Sequence, residues 1–132
     1  MTPRFMLDTD TVSYALRGIG NVGQRLSQMK PSELCLSAIT LAELRYGADR
    51  RGSAALHRMI DTVSQSVWVA PFDDRAAERY GRLRSELPMA GTRIGDLDTL
   101  IASHALALDV TLVTNNLRHF ARAGGLRTET WT

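Results

Sequence analysis

Short apolar runs alternate with longer helical patterns along this chain, and this alternation restricts the possible folds more than any other feature. The runs are too short for buried helices, and they contain β-forming residues or lie between turn residues. Strands that are separated by helices form parallel βαβ units. The sequence therefore predicts an α/β/α sandwich, with a central, mostly parallel sheet of four or five strands. The predicted strands are residues 5–7, 33–36, 67–70 and 110–113, with a weaker one near 126–129.

Helical patterns fill most of the chain between these strands. Residues 88–97 contain one proline and two glycines, so we expect a loop there. A chain of 132 residues without repeats or a linker fits one domain, and we expect residues 1–132 to form it. The predicted helices are residues 10–18, 21–29, 38–50, 52–65, 73–87 and 98–108.

Composition indicates a protein of the cytoplasm and leaves the partner open. No apolar run reaches the roughly 18 residues of a membrane span, and the N-terminus does not resemble a secretory signal. The single Cys35 lies in an apolar run, where a buried thiol is expected. Fifteen arginines accompany one lysine. Arginine suits phosphate binding, but a GC-rich genome would produce the same bias.

Acidic and amide side chains follow the predicted strands. In parallel sheets, ligands bind outside the carboxyl ends of the strands, so we expect these groups to meet at one edge of the sheet. The residues concerned are Asp8 and Asp10 after the first strand, Glu43 in the helix after the second, Asp96 and Asp98 before the fourth, and Thr114 and Asn116 after it.

Each acid also has a structural interpretation. Asp8 could cap the following helix, but Asp10 fits the helix start better, which leaves Asp8 for function. Asp98 could also be a cap, yet Asp96 is available for that role. Glu43 completes the pattern of a capping box with Thr40. Its helical neighbours form a mostly buried face, where a carboxylate needs a partner, so the residues alone leave both interpretations of Glu43 open.

Carboxylates brought together repel one another unless a cation lies among them. Oxygen ligands favour Mg²⁺, with Mn²⁺ as a substitute, over zinc. The scattered histidines 57, 104 and 119 show no zinc-binding spacing, and we expect His104 to pack inside a helix layer. A carboxylate-held Mg²⁺ activates water and offsets phosphate charge, so the predicted chemistry is phosphodiester hydrolysis. Asn116 either shapes a turn or holds a metal-bound water.

Four stretches of the chain together resemble the PIN-domain ribonucleases, specifically the VapC-type toxins of bacterial toxin–antitoxin pairs. They cover essentially the whole chain, in the order and with the spacing of that family. The stretches are FMLDTD at 5–10, LSAITLAELRYG at 36–47, IGDLDTLIA at 94–102, and LVTNNLRHF at 112–120 continuing to GLRTETW at 125–131.

The resemblance implies a PIN-like fold and a catalytic, metal-binding set formed by Asp8, Glu43 and Asp98. Many members carry a fourth acid where this chain has Asn116, so one firmly held Mg²⁺ is expected rather than two. Other polar residues are expected to support these acids rather than to bind the metal directly. They are Asn116, Thr114, Asp96 and Asp10.

The resemblance also implies partners. It suggests cleavage of structured RNA, commonly tRNA, and hence inhibition of translation and growth. It further suggests inhibition by a VapB-type antitoxin, a homodimer, and a toxin–antitoxin hetero-oligomer. Arg93, Arg45 and Arg118 lie beside the acidic motifs in the sequence and are candidates for contacts with RNA phosphates.

Two rival functions remain at this point. Asp8-Thr9-Asp10-Thr11 is similar to the opening motif of haloacid-dehalogenase-type phosphatases, with Asp8 as nucleophile and Asp10 as acid and base. Ser37 and the residues Gly95-Asp96-Leu97-Asp98 are similar to later motifs of that superfamily. The chemistry needs a basic residue, normally lysine, between them, whereas the only lysine, Lys30, precedes Ser37. The other rival is a catalytically inactive PIN domain that serves only as a binding module, which Asn116 keeps open.

Overall fold

Five parallel strands form the centre of the computed structural model, which describes residues 2–87 and 95–131. The strand order is β3-β2-β1-β4-β5, so β1 lies in the middle of the sheet. The predicted α/β fold with a parallel sheet is confirmed. The strands are β1 Phe5–Leu7, β2 Leu34–Ser37, β3 Trp68–Ala70, β4 Thr111–Val113 and β5 Thr128–Glu129.

The helices confirm the predicted pattern with two additions. The sequence did not indicate a 3₁₀ turn at Pro31–Glu33 or the short helix α7. Residues 88–94 of the predicted loop lie outside the described residues, and α6 begins two residues before the predicted start. No described helix is long and apolar enough to cross a membrane. The helices are α1 Thr9–Arg17, α2 Val22–Ser27, α3 Ala38–Arg51, α4 Ala54–Ser66, α5 Asp74–Glu86, α6 Asp96–Leu108 and α7 Leu117–Phe120.

The strands alternate their side chains between two hydrophobic cores, as the pleat of a strand requires. Phe5 and Leu7 face one core, which α1 to α4 cover, whereas Met6 faces the other core, which α5, α6 and α7 cover. All three side chains are buried. Strands buried on both faces read as continuous apolar runs, which explains why the sequence shows runs rather than alternation.

Cys35 faces the α5–α6 core and is fully buried. Burial raises the pKa of its thiol to about 12, so the thiol stays protonated and unreactive at neutral pH. The predicted buried, structural cysteine is confirmed.

The central position of β1 fixes the residues that follow it. The Asp8 amide donates to the Val113 carbonyl at 2.9 Å, and the Thr11 hydroxyl donates to the same carbonyl at 3.0 Å. These bonds tie the start of α1 to the end of β4. The carboxyl edge of the sheet, where β1 and β4 end side by side, is therefore a rigid platform for Asp8.

Candidate active site

Asp8 is buried at the junction between β1 and α1, with 5% of its surface exposed. Its Oδ1 accepts a hydrogen bond from the Thr9 amide at 2.8 Å, and its Oδ2 accepts one from the Thr114 hydroxyl at 2.9 Å. Asp8 is thus the N-cap of α1. The expectation that Asp10 would fill that position was wrong, because α1 already begins at Thr9 and Asp10 lies in its first turn.

The environment of Asp8 disfavours its charge. Burial, followed by the neighbouring charge of Asp10, raises the pKa of Asp8 to about 7. The hydrogen bonds from Thr114 and Thr9 lower the pKa and only partly offset this effect. A nearby cation would favour the ionised form, so the site gains electrostatic stability from binding one.

Glu43 lies in the second turn of α3 and reaches across to α1. Its Oε1 accepts a hydrogen bond from the Thr9 hydroxyl at 2.7 Å. Ser37, rather than Thr40, caps α3, since its Oγ accepts from the Ile39 amide at 3.1 Å. The capping-box interpretation of Glu43 was therefore wrong. Burial raises the pKa of Glu43, and the charges of Asp98 and Asp10 raise it further.

Asp98 lies in the first turn of α6, where its Oδ2 is 2.9 Å from Nε2 of His119. Burial raises the pKa of Asp98, while the His119 contact opposes that rise. Asp96 does not cap α6 as expected, because the N-cap position is Gly95. Asp96 instead lies 3.5 Å from Arg84 of α5 in an exposed ion pair.

Asp8, Glu43 and Asp98 line one cavity of about 350 Å³ at the carboxyl edge of β1, β2 and β4. The structure therefore brings the three predicted catalytic acids together, and Asp10 joins them. Of the remaining predicted supporting residues, Asn116 lines the cavity and Asp96 does not. The lining consists of Asp8, Thr9, Asp10, Ser13, Glu43, Asp98, Asn116 and Phe120.

The donor set of this acidic cavity fits a hard divalent cation. Its potential ligands are carboxylate and amide oxygens, which Mg²⁺ prefers. Within residues 2–87 and 95–131, no three His, Cys, Asp or Glu side chains form a closed metal-binding group. Mg²⁺ commonly keeps several waters and uses only one or two carboxylates, so an open arrangement suits it better than zinc.

Thr114 and Asn116 connect the end of β4 to the acidic cavity. The Thr114 hydroxyl donates to Asp8 and accepts from the backbone amide of Asn116 at 3.0 Å. The Asn116 side chain does not cap α7, although it occupies the N-cap position, and it lines the cavity instead. Thr114 thus orients Asp8, and Asn116 contributes a neutral side chain to the cavity lining.

The three candidate arginines have different positions. Arg45 points toward α4, where its Nη2 is 2.5 Å from Asp61 and its Nη1 is 3.0 Å from Nδ1 of His57. Sequence proximity to Glu43 therefore does not place Arg45 at the cavity. Arg118 is exposed on α7, two residues after Asn116. Arg93 lies outside the described residues.

Sequence reasoning missed Thr9 and His119, the two residues that contact Glu43 and Asp98. Thr9 donates a hydrogen bond to Glu43, and the only sequence feature that pointed to Thr9 was its position next to Asp8. His119 holds Asp98, and it was passed over because its spacing matched no zinc motif. A helix predicted after Asn116 would have placed His119 about one helical turn beyond Asn116, near the carboxyl edge of the sheet.

His104 is buried and packs against its neighbours, as predicted. Its Nδ1 is 2.7 Å from the Ser37 hydroxyl, and its ring lies edge-on to Phe72 with 5.2 Å between centroids. Burial lowers the pKa of His104, which keeps the ring neutral. His104 thus fixes the end of β2 against α6.

The position of Lys30 counts against the phosphatase alternative. Lys30 precedes the 3₁₀ turn that leads into β2, so it lies at the amino edge of the sheet. The acidic cavity lies at the carboxyl edge. The only lysine of the chain is therefore on the wrong side of the sheet to assist a nucleophilic Asp8.

Comparison with known proteins agrees with this geometry. Residues 5–126 match the PIN domain family. The chain is 37% identical over 131 residues to the tRNA(fMet)-specific endonuclease VapC of Salmonella typhimurium, covering 97% of this chain and 98% of that protein.

Solved structures show the same similarity. The structure of VapBC2 from Rickettsia felis bound to a DNA fragment from its promoter superposes with a TM-score of 0.88 at 34% identity, covering 97% of this chain and 98% of that one. DNA-bound VapBC from Salmonella typhimurium superposes with a TM-score of 0.86 at 37% identity, covering 99% of this chain and 100% of that one.

Proposed function

The chain belongs to the PIN-domain family, and we propose that it is a VapC-type, Mg²⁺-dependent endoribonuclease. Asp8, Glu43 and Asp98 are the proposed catalytic and metal-binding residues. The observation that supports this most strongly is the shared acidic cavity, in which all three carboxyl groups have raised pKa values. Such a cluster is destabilised by its own charge and is stabilised by a divalent cation.

Each acid has a defined task in the proposed hydrolysis. A bound Mg²⁺ would supply an activated water and offset the charge that develops on the phosphate. Asp8, Glu43 and Asp98 would hold it, with each carboxylate oriented by a separate partner. Those partners are Thr114 for Asp8, Thr9 for Glu43 and His119 for Asp98.

The proposed stoichiometry is one firmly held metal ion, with Mn²⁺ able to replace Mg²⁺. Asn116 occupies the rim where a fourth acid would increase the negative charge. Its amide is neutral and binds a second cation less strongly than a carboxylate would. Asp10 adds charge to the cavity and is proposed to support the site electrostatically rather than as a ligand.

We propose structured RNA as the substrate, with tRNA as the first to test, since the Salmonella relative carries the name of a tRNA(fMet)-specific endonuclease. Arg118 is exposed on α7, two residues after the cavity-lining Asn116, and is proposed to contact an RNA phosphate. Cleavage of tRNA would inhibit translation and growth.

The proposed protein partner is a VapB-type antitoxin. Two solved structures that this chain resembles are VapBC assemblies, and they superpose over nearly its full length. We extend that assembly to this chain, together with a homodimer of the toxin and a toxin–antitoxin hetero-oligomer. Residues 1–132 would act as one PIN domain in the cytoplasm, where tRNA and the antitoxin are found.

The test is cleavage of purified tRNA by the wild type and by Asp8→Asn, with Mg²⁺ or with excess EDTA. Asn can still accept the capping bond from Thr9, so the variant removes the charge and retains the fold. The exposed Glu78→Gln on α5 is the matched control. Cleavage should require Mg²⁺ and Asp8 but not Glu78. Wild type that binds tRNA without cutting it in Mg²⁺ would instead indicate an inactive PIN binding module.

A further inference from the structure

A second cavity, the α2 pocket, opens beyond the carboxyl end of β5 and has a volume of about 240 Å³. Four of its residues have the spacing i, i+3, i+4 and i+7 and therefore lie on one face of α2. The first and the last of them are the caps of the helix. Three of these four are amides and the fourth is an arginine. The lining consists of Asn21, Gln24, Arg25, Gln28, Thr130 and Trp131.

Within the α2 pocket, the Arg25 guanidinium contacts both a carboxylate and an aromatic ring. Its Nη2 lies 3.4 Å from Oε1 of Glu129, and its carbon lies 5.2 Å from the centre of the Trp131 ring. The Trp131 indole donates to the same Glu129 oxygen at 3.1 Å. Trp131 is 2% exposed and cannot move easily. A carboxylate and an aromatic ring together thus preorganise a planar group on which a flat ligand can stack.

The amides of the α2 pocket are available for a ligand. Gln24 and Gln28 are exposed, and their side chains form no hydrogen bond with any of the described residues. Asn21 occupies the N-cap position of α2, yet its side chain makes no capping bond. Each carboxamide offers both a donor and an acceptor, the combination that reads the edge of a nucleobase.

The α2 pocket lies close to the acidic cavity along the same edge of the sheet. β4 separates β1 from β5, and neighbouring strands are about 4.8 Å apart, so the strand ends are separated by about 10 Å. The Thr130 hydroxyl at the pocket donates to Oδ1 of Asn115 at 3.3 Å, and the next residue, Asn116, lines the acidic cavity. A short piece of single-stranded RNA can reach from one to the other.

We propose that the α2 pocket binds one nucleobase of the RNA substrate, close to the bond cleaved at the acidic cavity, and thereby sets a base preference. A pocket for the phosphate backbone would present several unpaired cations. This one presents a single arginine, already paired with Glu129, beside three amides. Stacking on a guanidinium and hydrogen bonding to the base edge are the usual means of recognising unstacked RNA bases. The inference rests on the proposed ribonuclease function.

The test uses the double variant Q24A/Q28A, which removes two exposed amides without disturbing the core. Gln65→Ala, an exposed glutamine on α4, is the matched control. Cleavage of an oligoribonucleotide library of random sequence is followed by sequencing of the product ends. We expect the wild type and Q65A to share a base preference at one position near the cut. In Q24A/Q28A that preference should flatten and KM should rise about tenfold, the cost of losing one base contact, with kcat nearly unchanged.

A second variant, Arg25→Lys, keeps the charge and loses the planar surface. We expect its KM to rise at least as much as that of Q24A/Q28A. An unchanged base preference in Q24A/Q28A, with KM within twofold of the wild type, would overturn the proposal while leaving the ribonuclease function intact.

Binding of the same library is also measured in the Asp98→Asn background, which is expected not to cleave, so that failure of the ribonuclease function can be recognised separately. If adding Q24A/Q28A abolishes base-selective binding, the α2 pocket binds a base. If the wild type nevertheless never cuts RNA, the ribonuclease function is refuted while the base pocket stands.

Discussion

Two clusters of charged side chains, each of which includes residues of α3, differ in how their acids are paired. Glu43 lines the acidic cavity, where carboxylates face one another and the described basic side chain in contact with them is His119, on Asp98. Further along, Asp49 accepts from Nε2 of His57 at 2.7 Å, and Arg45 bonds both His57 and Asp61. We call this second group, Arg45, Asp49, His57 and Asp61, the α3–α4 ion cluster. Both of its acids have a basic partner within the cluster, so it needs no ligand.

This contrast separates a structural cluster from a binding site. In the α3–α4 ion cluster the charges are partly exposed and paired, and such pairs contribute little to stability. In the acidic cavity the charges are more buried and of like sign, which raises the pKa values of Asp8, Glu43 and Asp98. An unbalanced cluster of this kind is costly unless a cation completes it.

The largest expected difference concerns activity. Glu43→Gln should reduce kcat for RNA cleavage by at least about 100-fold, because it removes a carboxylate from the proposed metal site. Asp61→Asn, from the α3–α4 ion cluster, should change kcat less than about twofold. Initial rates at saturating Mg²⁺ measure both. Equal losses in the two variants would remove the functional distinction between the clusters.

The next difference concerns stabilisation by the metal. Mg²⁺ at about 100 times its Kd should raise the free energy of unfolding of the wild type by about 2.7 kcal/mol. Asp61→Asn should respond as the wild type does, and Asp8→Asn should respond much less. Urea unfolding with and without Mg²⁺ provides the values. An undiminished response in Asp8→Asn would place the bound cation elsewhere.

A pH effect should distinguish the clusters in the metal-free protein. The folded pKa of Asp8, about 7, lies above its ordinary value of 3.8, so the folded state holds a proton that the unfolded state releases. Stability should therefore fall as pH rises from about 4 to about 7, by something on the order of 4 kcal/mol. Asp8→Asn should flatten this slope, whereas Asp61→Asn should retain it. Unfolding curves in EDTA across that pH range test the sign, and a slope that survives in Asp8→Asn would assign it to other groups.

The smallest effect concerns the one histidine that contacts the acidic cavity. His119→Ala should weaken Mg²⁺ affinity about tenfold, because Asp98 loses the donor that orients it. His119→Gln retains a donor and should restore part of that affinity. His57→Ala, in the α3–α4 ion cluster, should leave it unchanged. Titration of Mn²⁺ into each variant measures this without reference to cleavage, and identical affinities would limit His119 to a packing role.

The sequence predicted the sheet and the meeting of the acids for one physical reason. Parallel strands end at a common edge, so residues that follow them in sequence meet in space. That rule places Asp8 and Asn116 together from strand positions alone. It does not decide between capping and function, because Asp8 both caps α1 and lines the cavity, although Asp10 is available nearby.

Contacts between helices lay beyond the sequence pattern. The bond from Thr9 to Glu43 depends on how α1 packs on α3, and the contact of His119 with Asp98 depends on a short helix with no periodic signal. Arg45 shows the converse, since it is two residues from Glu43 and yet points toward α4. Side chains two positions apart on a helix face different directions. Proximity to Glu43 in the sequence therefore did not place Arg45 at the acidic cavity.

The most direct test of the acidic cavity as a ribonuclease centre is to sequence RNA ends after brief induction of the wild type, Asp98→Asn and Asp61→Asn in cells. The expected result is a set of new RNA ends, concentrated in tRNA, that the wild type and Asp61→Asn share and that Asp98→Asn lacks. The same ends in Asp98→Asn, at wild-type abundance, would contradict the account.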